Sequence, residues 1–115
     1  MSAPLTNPTL TILTGETVSS AAYIGNGELV GFQMPTAWTT ADITLQGSAD
    51  GVTFQDVYDD NAGKLTYKAA ASEYVVLRTR LTIPWIKFVS STAQLTSIKT
   101  ITLVVRKYPT PGIKG

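Results

Sequence analysis

The sequence contains no cysteine and no histidine, and each absence excludes a class of function. Without cysteine, the chain can form neither a disulfide framework nor a thiolate metal site. Without histidine, it lacks the most common general base and the most common metal ligand. The serines at positions 19, 20, 90 and 91 therefore have no histidine to activate them, which excludes a serine triad. We expect a protein that is not an enzyme and needs no cofactor or metal ion.

Charged residues are also scarce, at 15% of the chain against roughly 25% in an average globular protein. Apolar residues make up 43%, which is too many for a disordered chain, and 115 residues suffice for one domain with a core. No apolar run approaches the length of a membrane span. Residues 1–5 have no basic region and no apolar run, so we expect no signal peptide and a protein made in the cytoplasm.

Hydroxyl side chains supply most of the polar surface, since the sequence holds 18 threonines and 8 serines. Threonine is β-branched and suits a half-exposed pleated surface. Apolar and polar residues alternate in eight or nine short segments, whereas no window has a helical period. The segments are residues 9–14, 18–24, 28–34, 42–48, 52–58, 64–68, 73–79, 85–90 and 98–107. This spacing predicts a single all-β domain, a β-sandwich or jelly roll of about eight antiparallel strands.

Alternation within the segments also predicts which residues form the core. Ile43 and Leu45 share one face of their segment, and Leu103 and Val105 share one face of the last segment. Val30, Phe32 and Met34 are predicted on one face in the same way. Residues 64–68 carry two lysines, which favours an edge strand because charge discourages edge-to-edge pairing.

Proline brackets both ends of the predicted domain, which we place at residues 9–107. Residues 1–8 then form an N-terminal arm and residues 108–115 a C-terminal tail that cannot continue a sheet. Such segments can gain order on a neighbouring molecule, although fraying is the usual fate of termini. The arm and tail residues expected at a partner interface are Pro4, Leu5, Tyr108, Pro109 and Ile113.

The charges are divided unevenly along the chain. Residues 1–60 contain seven acids and no Lys or Arg, whereas residues 61–115 contain all nine bases and one acid. We favour acidic and basic strands that neutralise each other across the sheets. The alternative is two oppositely charged ends that steer copies of the chain together. The bases are spread singly, without an aromatic–basic motif, so nucleic-acid binding is not expected.

Two further features have a structural and a functional interpretation. Asp56, Asp59 and Asp60 supply oxygen ligands, but their spacing matches no calcium loop, and we favour a solvated turn. Trp85 lies in an apolar strand and is predicted to be core. Trp38 lies in a connection, where we favour packing and keep a sugar-stacking platform for a glycan as the alternative.

Two segments resemble discoidin-type, galactose-binding-like sandwiches. Residues 48–54 read S-A-D-G-V-T-F, which is similar to the S-x-D-G-x-x-[FW] hairpin of that fold, and residues 83–90 resemble its late strand. The order of segments across residues 15–107 is similar to that of small virion proteins from tailed phages and gene transfer agents.

This resemblance implies a structural part of a virion, assembled in the host cytoplasm. The chain would be a capsid decoration or cement protein, or the base of a head spike or fibre. Its partners would be the major capsid protein or other virion proteins, and further copies of itself. A carbohydrate-binding module is the alternative function that the sequence leaves open.

Overall fold

The structure is a computed structural model that describes residues 5–61 and 63–107, and this part of the chain contains strands and no helix. The strands are β1 (Leu5–Thr6), β2 (Thr9–Ile12), β3 (Ala22–Tyr23), β4 (Gly27–Gln33), β5 (Ala41–Ser48), β6 (Gln55–Asp56), β7 (Thr66–Ala69), β8 (Tyr74–Leu81), β9 (Trp85–Ser90) and β10 (Lys99–Lys107). They form two antiparallel sheets arranged like a sandwich, which confirms the predicted all-β, two-sheet fold.

In the first sheet, β10 lies between β4 on one side and both β1 and β2 on the other, and β8 forms the far edge beyond β4. In the second sheet, β9 lies between β3 and β5. On the side of β5 that faces away from β9, the first half of β5 pairs with β7 and the second half pairs with β6. The predicted lysine-bearing edge strand is therefore confirmed as β7.

The hydrophobic core fills the space between the two sheets. Ile43, Leu45, Leu103 and Val105 are each 0% exposed, so the predicted core positions are confirmed. The largest fully buried rings belong to Phe32 and Phe88, which meet edge to face with centroids 4.9 Å apart.

Strand β4 contains an irregularity that interrupts the predicted alternation. Leu29 pairs with Val105 and Gly31 pairs with Val104, so Val30 is an extra residue without a partner on β10. Because such a bulge adds one residue, it reverses which of the following side chains point into the core and which point outward. Leu29 and Phe32 are consequently both fully buried, while Val30 is half-buried. The prediction was right for Phe32 and Met34 and wrong for Val30.

Two other segments are extended over a shorter length than the alternation predicted. In residues 18–24, only Ala22–Tyr23 forms a strand, because residues 17–20 run between the two sheets. There Ser19 N–H donates to the carbonyl of Phe88 on β9, and Ser20 N–H donates to that of Thr11 on β2. In residues 52–58, only Gln55–Asp56 is a strand.

Buried polar side chains join the loops at the end of the sandwich where β10 begins. Gln94 is 0% exposed, and its amide both donates to the carbonyl of Thr39 and accepts from the backbone N–H of Thr39, each at 2.9 Å. Lys99 is 2% exposed, and its Nζ donates to the carbonyl of Leu95 at 3.0 Å and to Ser97 Oγ at 2.9 Å. The sequence signals neither group as buried.

The ion pairs of the described residues all join an acid from the first half of the chain to a base from the second. They are Asp56–Lys64, Asp42–Lys68, Glu28–Arg80 and Glu28–Arg106, at 3.2, 3.5, 3.7 and 3.9 Å. Glu28 is the most buried of these acids, since its side chain is 11% exposed beneath the two arginines. Three of the seven acids in residues 1–60 are thus paired with bases from the second half of the chain, which agrees in part with the favoured interpretation.

Candidate functional site

The hairpin between β5 and β6 is held by a compact set of side-chain hydrogen bonds. Asp50 Oδ1 accepts from the backbone N–H groups of Val52 and Thr53, at 2.8 and 3.0 Å. The Ser48 hydroxyl donates to the same carboxylate and accepts from Gly51 N–H, both at 2.9 Å. This is how Asp and Ser form turns, by replacing backbone partners with their own oxygens.

These donors also change the acidity of Asp50. The backbone N–H of Thr53, then that of Val52, then the Ser48 hydroxyl lower the pKa of Asp50 from 3.8 to about 2. Hydrogen bonds to the charged form of a carboxyl favour ionisation. The hairpin therefore keeps a permanent negative charge at ordinary pH.

Beside the hairpin, two aromatic rings lie on the outer surface of the second sheet. Tyr23 and Trp85 are paired across β3 and β9, with ring centroids 4.7 Å apart and planes at 46°. Tyr23 is 57% exposed and Trp85 is half-buried on the outer face, while Ile86 and Phe88 of the same strand point into the core. The prediction that Trp85 is core was therefore wrong, because its strand presents it to the opposite face from the core.

Glycines allow the backbone to approach both rings closely. Gly51 has φ +80°, and a Cβ there would lie 2.8 Å from the Trp85 indole. Gly25 has φ +55°, and a Cβ there would lie 3.1 Å from the Tyr23 ring. Lys107 Nζ lies 5.7 Å from the centroid of the Tyr23 ring. We call this region the aromatic corner. It consists of the Tyr23–Trp85 pair, the loops that contain Gly25 and Gly51, and Lys107 at the end of β10.

A groove, here called the side groove, starts at this corner and follows the lateral opening between the two sheets. It consists of two adjoining cavities of about 540 and 510 Å³ that share Val57, Thr82 and Ile83. The first cavity lies between the hairpin and Pro84, and the second lies between β8 and the turn at residues 58–60. A Cβ at Gly47 would lie 2.8 Å from the Ile83 side chain, so the glycine lets Ile83 pack directly against the backbone of β5.

The side groove has an apolar floor and an acidic wall. Val57, Leu65 and Ile83 are partly buried and pack against the hydrophobic core. Asp59, Asp60 and Arg80 line the second cavity. Arg80 pairs with Glu28, whereas neither aspartate forms an ion pair within the part of the chain that the structure describes. Asp59 Oδ1 accepts from the backbone N–H groups of Asn61 and Gly63, which makes it part of its own turn. The groove therefore suits an extended segment with apolar and cationic side chains.

Trp38 lies at the opposite end of the sandwich from the corner. It packs against the core as a half-buried side chain, in agreement with the favoured structural interpretation. Its indole Nε1 is buried without a hydrogen-bond partner among the described residues. An unpaired buried N–H usually costs stability.

The predicted interface residues fall largely outside the described residues, namely Pro4, Tyr108, Pro109 and Ile113. Leu5 is described, is 55% exposed, and pairs with Arg106 as part of β1. Residues 5–8, which the sequence assigns to the arm, run along β10. Asn7 Nδ2 donates to the carbonyl of Leu103 at 3.1 Å, and Leu103 N–H donates to that of Pro8 at 2.8 Å.

Two general features bear on other kinds of site. Residues 5–61 and 63–107 contain no group of three or more potential metal-binding acids. The same residues include no helix that is long and apolar enough to cross a membrane.

Comparison with known proteins found no match for this chain, whether among family models, curated proteins or solved structures. The resemblance to virion proteins therefore stays a prediction.

Proposed function

We propose that this protein is a structural component of a phage-type virion that binds the major capsid protein and further copies of itself. In this role it is a capsid decoration or cement protein, or the base of a head spike or fibre. The order of sequence segments across residues 15–107 motivates this role, and exposed apolar surface supports binding to other proteins.

The observation that carries this proposal is apolar surface exposed on the outer faces of both sheets. On the first sheet, Tyr74 and Val76 point outward from the edge strand β8 and are 56% and 74% exposed. On the second sheet, Tyr23 is 57% exposed beside Trp85, and Val52 at the hairpin tip is 81% exposed. Two adjacent apolar pairs, Tyr74 with Val76 and Tyr23 with Trp85, therefore carry the proposal, and contiguous exposed apolar surface is typical of contact with another protein.

A binding assay with purified capsids tests the proposal. Val76→Glu places a charge in the apolar surface of β8 and should weaken binding of the chain to capsids, because the carboxylate must be desolvated there. Thr100→Glu is the matched control, since Thr100 is also exposed on a strand of the first sheet. If both variants bind capsids as well as the unchanged chain does, β8 does not take part in the interface.

The alternative function, a carbohydrate-binding module, is favoured by a different residue from the one that the sequence singled out. Tyr23 presents an exposed ring near the end of the side groove that Pro84 lines, and flat rings stack on the apolar faces of sugars. A glycan array should distinguish the candidates. Binding that Tyr23→Ala abolishes and Trp38→Ala preserves would support this alternative and locate the site at the corner.

A further inference from the structure

The end of β10 lies beside one end of the side groove. Lys107 is the last residue that the structure describes, and it pairs with Gly27. Its Nζ donates to the carbonyl of Ile24 at 2.9 Å, and Ile24 N–H donates to the carbonyl of Pro84 at 2.8 Å. Pro84 itself lines the first cavity. The last described residue of the chain, Lys107, therefore lies close to one end of the groove.

Eight residues are long enough to enter the groove from this starting point. In the first sheet β4 separates β10 from β8, so the outer side of β8 lies roughly 14 Å from β10, at about 4.8 Å per strand. An extended segment of eight residues spans roughly 26 Å. About half of the C-terminal segment remains after this crossing and can lie along the groove.

The composition of the segment complements the groove. Residues 108–115 contain Lys114 and no acidic side chain, whereas the groove wall carries Asp59 and Asp60 without an ion-pair partner among the described residues. The one base in that wall, among the described residues, is Arg80, which already pairs with Glu28. The segment also contains Tyr108 and Ile113, and the groove floor is apolar. Its two prolines remove backbone donors, so side-chain contacts would have to supply most of the binding.

We propose that residues 108–115 bind in the side groove of the same chain, with Ile113 on the apolar floor and Lys114 facing Asp59 and Asp60. Attachment to β10 gives the segment a high effective concentration at the groove, so modest contacts suffice. This inference is independent of the proposed function and assigns the C-terminal segment a partner within its own domain.

Paramagnetic broadening in NMR spectra of the full chain tests this proposal. Because the chain has no cysteine, Gly115→Cys provides a single position for a nitroxide label. The amide signals of Thr82, Ile83 and Asp60 should lose intensity selectively. Those of Thr9 and Thr11, on the opposite edge of the first sheet, should keep it. Broadening that is absent from the groove, or equal at both edges, would overturn the proposal.

Charge variants test whether the two aspartates attract the segment, and a mixed sample tests whether the binding is intramolecular. In the labelled chain, Asp59→Asn with Asp60→Asn should reduce the broadening, and higher salt should reduce it too. Asp42→Asn, which removes an exposed acid outside the side groove, should leave it unchanged. A mixture of labelled chain and isotope-enriched unlabelled chain should show no broadening at the groove. Broadening in the mixture would mean that the segment binds a second copy, which contradicts the intramolecular proposal.

Discussion

Asp50 and Gly51 fix the tip of the β5–β6 hairpin through two different physical effects. Asp50 acts through its carboxylate, which accepts hydrogen bonds from the backbone of Val52 and Thr53. Gly51 acts through the side chain that it lacks, since its φ of +80° and the Trp85 indole leave no room for a Cβ. Each effect can be tested by a single substitution.

Gly51→Ala should destabilise the protein more than Gly15→Ala does. Both glycines have positive φ, +80° and +84°, where alanine costs about 1–2 kcal/mol. At Gly15 nothing lies within 4 Å of an added Cβ, whereas at Gly51 the indole lies 2.8 Å away. The clash between the new methyl group and the indole should add about 1–3 kcal/mol of destabilisation at Gly51, and no such clash arises at Gly15. Urea unfolding measures both, and equal losses would show that the indole moves aside freely.

Asp50→Asn should remove a pH-dependent part of the stability. The pKa of Asp50 is lowered in the fold, from 3.8 to about 2, so its carboxylate stabilises the folded protein above pH 4. That contribution should disappear as the pH falls from about 4 to about 2. Thermal unfolding of both proteins should show the original chain losing its advantage over the variant in this window. A constant difference across the window would contradict the assigned cause.

At the scale of strands, alternation was informative wherever a strand is regular. Ile43 and Leu45 on β5, and Leu103 and Val105 on β10, follow period two and were assigned correctly. The bulge at Val30 could not be predicted, because it depends on how β4 aligns with a strand about seventy residues later. Trp85 shows the same limit, since an apolar strand does not reveal which face meets the core.

Leu103→Ala should cost about 2–5 kcal/mol of unfolding free energy, because it leaves a cavity between the sheets. Leu103 is 0% exposed and pairs with Phe32 in the centre of the first sheet. Val76→Ala, on the exposed face of the same sheet, should change stability by no more than about 0.5 kcal/mol. Chemical denaturation distinguishes the two, and similar losses would mean that the inward face of the first sheet is misassigned.

At the scale of the whole molecule, only part of the candidate site could be predicted. The S-x-D-G hairpin was recognisable because its residues are consecutive and each has a local role. The aromatic corner was not, since Tyr23 and Trp85 are distant in sequence and meet only when β3 pairs with β9. The side groove is likewise a product of packing, formed where the edges of the two sheets face each other.

The role of the whole chain is tested most directly by quantitative mass spectrometry of purified phage-type particles from the source of the gene. As a capsid decoration protein or a spike base, the chain should be present in many copies per particle, in a fixed ratio to the major capsid protein. It should remain in that ratio after the particles are purified further by density. Absence of the chain from intact particles, together with its recovery in the soluble host fraction, would contradict the proposed function.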